Sequence, residues 1–143
     1  MSASGAGRWL ATGASLVVVA TVIAAMLSMG SPGQQREEKM DRKREQDMQR
    51  IVAAINNRTS SGKPLPADLA SLASEPGRRL AINDPANGAP YAYQLVGEDG
   101  FRLCAVFSTD TASRKRAAWV DDEWLHGPGQ HCFDRKAERR QKN

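Results

Sequence analysis

From Trp9 to Met29 the chain reads WLATGASLVVVATVIAAMLSM, 21 residues without a charge, 16 of them hydrophobic. At about 1.5 Å per residue a helix of that length spans roughly 30 Å, the thickness of a bilayer's hydrocarbon core. Gly13, Ser15 and Thr21 are compatible with such a helix, because hydroxyls can bond back to helix carbonyls. The run therefore predicts a transmembrane helix over 9–29, preceded by a short N-terminal tail over 1–8. The competing readings are a cleaved signal peptide and a buried helix of a soluble fold. Against cleavage, the run is longer than the usual ~7–15-residue apolar core of a signal, and no clear A-x-A site closes it. Ser28-Met29-Gly30 is a weak cleavage candidate.

What remains is polar. The whole chain has 143 residues, 41% hydrophobic, so removing the apolar run leaves limited material for a core. That length accommodates one modest domain and excludes most multidomain enzyme architectures. Seven of the eight aromatics (Tyr91, Tyr93, Phe101, Phe107, Trp119, Trp124, Phe133) lie beyond residue 90, which places that core in the C-terminal part.

Orientation is argued both ways. Only Arg8 precedes the apolar run, whereas Arg36, Lys39, Arg42, Lys43 and Arg44 follow it, so the positive-inside rule puts the C-terminal part in the cytoplasm. The cysteines argue the reverse. Cys104 and Cys132 are the only two, both in strand-like segments, and an even count in a small anchored domain suits a disulfide and an oxidising compartment. Such a bridge would add about 3–4 kcal/mol in the chain-entropy treatment. Two reduced, buried cysteines are the alternative.

Ser31-Pro32-Gly33 is expected to interrupt the helix after the apolar run. A second helix is predicted over about 34–58. Its first half is charged all round and reads as a solvated stalk over 30–45, with Glu38 and Arg42 attracting and Asp41 and Glu45 repelling at four-residue spacing. A coiled-coil dimer is the sharper reading of this half, but Met40 is its only apolar residue. The second half carries Met48, Ile51, Val52 and Ile55, the stripe of a helix lying on a core. Pro64-Leu65-Pro66 leads to a short helix, with Asp68 in its first turn and Leu69 and Leu72 on one side, ended by Glu75-Pro76-Gly77. Asp84–Pro90 is a dense cluster of turn residues.

From Tyr91 the period becomes two. Tyr91, Tyr93 and Leu95 share a face; Gly97-Glu98-Asp99-Gly100 turns the chain; Phe101, Leu103, Ala105 and Phe107 share a face of the returning strand, with Cys104 and Val106 behind. Residues 117–120 and 131–135 are further strand candidates, and the charged tail over 137–143 is expected to be disordered. The fold class is thus α+β, an amphipathic helix packed on a small antiparallel sheet, over 46–136.

This order of elements resembles the globular part of the type II secretion pseudopilins, the major pseudopilin above all. The residues that carry the resemblance are MQRIVAAI (48–55), KPLPADLASL (63–72) and DPANGAPYAY (84–93), the last similar to the pseudopilins' Asp-Pro-x-Gly-x-Pro-Tyr-x-Tyr turn and strand. The chain also resembles uncharacterised single-span bacterial membrane proteins with this head, through its Leu-Cys-Ala-x-Phe strand (103–107) and its Trp-x-His-x-x-Gly-x-x-Cys-Phe ending (124–133). The resemblance covers about residues 45–135. It implies a head outside the cytoplasmic membrane, which sides with the disulfide. Gly88 is expected to supply a positive φ in the turn. The N-terminus departs from the pilin pattern: Gly7-Arg8-Trp9-Leu10-Ala11-Thr12 has no glutamate where the family's Phe-Thr-Leu-x-Glu stands, and Pro32-Gly33 breaks the helical spine. This argues against prepilin processing and filament assembly, and no acidic loop matches the pseudopilin calcium site.

Four places in the sequence carry residues capable of chemistry. His126, His131, Cys104 and Cys132 could form a zinc tetrad, but adjacent His131 and Cys132 alternate across a strand and the spacing fits no standard knuckle. Cys132 beside a histidine could be a thiol nucleophile, though a second cysteine is available to oxidise it. Asp121-Asp122-Glu123 reads as a solvated acidic loop rather than a cation site. Arg114-Lys115-Arg116 and the tail residues Arg135, Lys136, Arg139, Arg140 and Lys142 could meet nucleic acid or anionic lipid; outside the cytoplasm nucleic acid is not expected.

The sequence therefore predicts a single-pass protein of a bacterial inner membrane with a periplasmic, pilin-like head. It is expected to be non-catalytic, with no metal and no cofactor, and with Cys104 and Cys132 as a disulfide. Its expected partners are the membrane and another envelope protein. The alternatives are a minor pseudopilin-like subunit of a secretion or pilus machine, a metal-binding or thiol-active protein, and a cytoplasmic head.

Overall fold

The computed structural model describes residues 3–28, 31–77, 79–113 and 122–138. The chain forms two compact units, Met1–Arg36 and Glu37–Asn143. The predicted strand at 117–120, the basic triplet at 114–116 and the basic residues from 139 onward lie outside the described residues.

The first unit holds helix α1, Ala3–Ser28. Every described side chain from Gly7 to Leu27 is exposed, and α1 carries the one stretch among the described residues long and apolar enough to cross a membrane. Its polar residues close on their own backbone, as expected: Ser15 Oγ donates to the Ala11 carbonyl at 2.9 Å, and Thr21 Oγ1 to the Val18 carbonyl at 2.8 Å. Thr12 does the same, its Oγ1 donating to the Trp9 carbonyl at 3.0 Å.

Helix α2 runs Pro32–Ser60. Pro32 and Gly33, expected to interrupt the helix, are instead the first two residues of α2, and Ser31 precedes them. Ser31 Oγ accepts the Gln34 N–H and Gln34 Oε1 accepts the Ser31 N–H, both at 3.3 Å, a reciprocal cap. Pro32 then takes the first helical position, where its missing donor costs nothing.

In the second unit α2 lies against a three-stranded antiparallel sheet ordered β1 (Ala92–Val96), β2 (Gly100–Phe107), β3 (Gly129–Lys136). Met48, Ile51 and Ile55 of α2 are fully buried, with Val52 packed beside them. They meet Phe101, Leu103, Ala105 and Phe107, the inner face expected of β2, together with Phe133 and Trp124. Phe107 meets Phe133 edge-on at 6.2 Å and Trp124 lies 4.9 Å from Phe133, in the geometries aromatic quadrupoles favour. Helix α3, Leu69–Ala73, adds Leu69 and Leu72. Asp68, expected in its first turn, stands one residue before the helix as its N-cap, the carboxylate accepting the Ser71 N–H at 2.6 Å.

The β1–β2 hairpin turns through residues 97–99, pairing Val96 with Gly100. A Cβ at Gly100 would stand 2.4 Å from the Val96 carbonyl oxygen, so only glycine fits. Gly88 has the positive φ expected, +73°. Leu95 departs from expectation: it keeps the phase of Tyr91 and Tyr93 but is 51% exposed, because β1 is an edge strand and the core ends at Tyr93.

Two further expectations are corrected. Asp41 and Arg44, read as part of a solvated stalk, are buried at 2% and 5% exposure. Ala137 and Glu138, read as the start of a frayed tail, are tied in: Ala137 N–H donates to the Asp99 carbonyl at 2.8 Å, and the Glu138 carbonyl accepts Thr59 Oγ1 at 2.8 Å.

Candidate functional site

The polar interior of the second unit is built around Arg44. Its Nε and Nη2 grip Asp84 at 2.7 and 3.1 Å, while Nη1 donates to Asp41 at 2.6 Å. Asp84 comes from the Asp-Pro turn, where the same carboxylate accepts the Ala86 N–H at 2.7 Å and the backbone closes through Asp84 N–H to the Ala89 carbonyl, also 2.7 Å. Asp41 faces the far end of β2 and accepts the Ser108 N–H at 3.1 Å, the Thr109 N–H at 2.7 Å and the Thr109 hydroxyl at 2.7 Å. One guanidinium and two carboxylates thus lock α2, the turn and the end of β2 together.

The electrostatics follow from these contacts. Burial alone would raise the Asp41 carboxyl, but hydrogen bonds from Thr109, Ser108 and Arg44 outweigh it and hold the group below the ordinary carboxylate value. Asp84 is held down in the same way, with Arg44 its main counterweight to burial. Arg44 is raised, chiefly by the Asp84 hydrogen bond. Further along the helix, Asp47 accepts Lys43 Nζ at 2.6 Å and the Tyr91 hydroxyl at 3.4 Å. Burial, then the charge of Asp47, pushes the Tyr91 phenol well above its usual value. Burial pushes Tyr93 up to about 12, and its hydroxyl donates to the Pro66 carbonyl at 3.0 Å.

His126 is fully buried and stacks on Phe107, ring centroids 3.7 Å apart and planes at 17°. Its Nε2 stands 3.1 Å from Glu45 Oε1, and its backbone carbonyl accepts the Thr111 N–H at 2.9 Å. Burial raises the Glu45 carboxyl above its ordinary value, with His126 acting in the opposite sense. The imidazole is held in place: one face is covered by the Phe107 ring and Nε2 meets a carboxylate.

Cys104 and Cys132 are directly opposite in the β2–β3 register, their sulfurs 2.07 Å apart, at disulfide distance. Alternation puts both on the outer face of the sheet, away from α2 and from His126. The four residues weighed as a zinc tetrad are therefore divided between two faces, and His131 packs its ring 4.9 Å from Phe133. Among the described residues no group of three or more histidine, cysteine or acidic side chains could hold a metal ion. Within the acidic loop, Glu123 accepts Arg135 Nη1 at 3.1 Å.

A surface recess of about 580 Å³ is lined by Gln49, Val52 and Asn56 of α2 and by Trp124, Arg135 and Glu138. Its arginine reaches Glu123 through Nη1 and Nη2 and lies 4.6 Å over the Trp124 ring. The arrangement as a whole clamps a helix to a sheet.

The sequence reading missed Arg44, Asp41, Asp84 and the Glu45–His126 pair. The available signal was weak: an Asp-Pro turn whose acid also needs a distant partner. No model of a protein family matches the chain, no curated protein matches it in sequence, and no solved structure matches it in fold.

Proposed function

We propose that the chain is a single-pass membrane protein whose pilin-like head lies in the bacterial periplasm and serves a non-catalytic structural, interaction or assembly role in the envelope. The observation that carries this reading is the pairing of an entirely exposed apolar helix with a head whose two cysteines stand at disulfide distance. The first calls for lipid and the second for an oxidising compartment. The polar groups of the head support the non-catalytic part, since its buried charges are consumed in mutual pairing. Partners are the membrane and another envelope protein, with no metal, cofactor or nucleic acid.

The test is a pair of C-terminal fusions, alkaline phosphatase and a fluorescent protein, with thiol trapping of Cys104 and Cys132 in whole cells. Phosphatase activity with both thiols blocked from alkylation is expected. A fluorescent cytoplasmic fusion with two free thiols overturns the location. A cleaved signal meets the same length and composition test as an anchor; an intact N-terminus in the membrane fraction is expected, and a mature chain starting near residue 30 overturns the anchor.

A second reading is favoured by the order of elements, a long helix, a short capped helix, an Asp-Pro turn and an antiparallel sheet: a minor pseudopilin-like subunit. Processing after Gly7 with a methylated new N-terminus is its required signature.

A further inference from the structure

The bridge between β2 and β3 lies on the face of the sheet away from the apolar core. The inner faces of these strands hold the packed core, with Leu103 opposite Phe133 and Ala105 opposite His131. Cys104 and Cys132 occupy the fifth of eight consecutive register pairs, on the opposite face. The sheet is thus aligned on both sides of the bridge by backbone pairing, by the core beneath, and by the Arg102–Asp134 ion pair on the same outer face, Nε to Oδ1 2.6 Å. The two cysteines differ in access: Cys104 is only 8% exposed, whereas Cys132 is exposed. Cys132 lies on the face of the sheet opposite the packed core.

We propose that the Cys104–Cys132 pair is a thiol–disulfide exchange site of the already folded head, entered at Cys132. The co-reactant is an external thiol in the reducing direction and an external disulfide in the oxidising one. An incoming thiolate attacks the Cys132 sulfur, the Cys104–Cys132 bond breaks, and Cys104 leaves as a thiolate that takes a proton from water. The intermediate is a mixed disulfide between Cys132 and the reagent. A second external thiolate attacks the reagent's sulfur in that bond, releasing the oxidised reagent and the Cys132 thiolate; two external thiols supply the two electrons. Oxidation is the reverse, with the register holding Cys104 opposite Cys132 to resolve the mixed disulfide. The inference does not depend on which side of the membrane the head occupies.

The test uses the full chain in detergent micelles. In native buffer, wild-type protein is exposed to a series of dithiothreitol concentrations and quenched with acid and an alkylating agent. The expected reduction rate rises in proportion to dithiothreitol, and the reduced chain keeps its far-UV circular dichroism with a lowered urea midpoint. A rate that levels off at the unfolding rate, or loss of structure on reduction, overturns the proposal. In a second arm Cys104→Ser and Cys132→Ser are each exposed to glutathione disulfide, and adducts are mapped by mass spectrometry. Cys132 is expected to form the adduct roughly tenfold faster than Cys104. Equal rates, or a faster Cys104, overturn entry at Cys132. Should a variant fail to fold, the mixed disulfide trapped from wild-type protein with glutathione decides the same point by which cysteine carries it.

Discussion

Between Met48 and Ile55 helix α2 buries hydrocarbon and sulfur; between Asp41 and Asp47 it buries charge. Both stretches lie on one face of one helix and both are nearly closed to water. In the apolar half, burial is favourable in itself, about 25 cal/mol per Å² removed from water, and imposes little direction on its partners. In the charged half, burial is costly unless each group meets a partner in good geometry. Arg44 meets that demand with three hydrogen bonds to two carboxylates, and Asp41 with backbone N–H groups at the end of β2. The apolar half supplies adhesion. The charged half dictates where the Asp-Pro turn and the end of β2 must sit.

The largest expected effect breaks the charged half. Arg44→Ala leaves Asp41 and Asp84 buried without their counter-charge and should cost about 3–5 kcal/mol, read as a lower urea midpoint of the full chain in micelles. A loss under 1 kcal/mol would show that water reaches these acids. Ile51→Ala in the apolar half should cost about 3 kcal/mol by lost transfer energy and cavity formation, measured in the same way. Its effect should be independent of pH.

Acid sharpens the contrast next. Asp41 and Asp84 have folded values below the ordinary carboxylate value, so the stability they contribute is complete above that value and is lost as pH falls through the lowered folded ones. The urea midpoint of the wild type should therefore fall steeply below about pH 4. Asp41→Asn should be less stable at neutral pH and flatter in acid; an unchanged acid slope would remove Asp41 from the account. The smallest effect belongs to Arg42, on the exposed side of the same helix. Its 3.6 Å contact with Glu38 is open to solvent, so Arg42→Ala should shift stability by about 0.3 kcal/mol or less.

The same contrast explains what could be read from residues alone. Met48, Ile51 and Ile55 announce a buried face by spacing, and Phe101, Leu103, Ala105 and Phe107 announce a strand by alternation, because apolar burial is a local periodic signal. Asp68 announces its helix start through a bond only three residues long. Asp41 and Arg44 carry no such mark. Their partners Asp84 and Thr109 are 40 and 68 residues away, and a charged residue at a helical position looks the same whether it faces water or a distant counter-charge. His126 was similarly opaque, since its partner Glu45 lies 81 residues earlier. Leu95 misled for the opposite reason: its phase was right, but an edge strand can run past the end of the core.

The tie at Glu138 has a mechanical consequence. The second unit begins on α2 at Glu37, and its last described residue is fastened to the other end of that helix, through Thr59 Oγ1 to the Glu138 carbonyl at 2.8 Å and the Glu138 N–H to Asn56 at 3.3 Å. From Asp41 to Thr59 the helix rises about 27 Å. A pull on the chain at Glu138 is therefore felt at the far end of α2 as well as in the sheet, where the Ala137 N–H holds the Asp99 carbonyl at 2.8 Å.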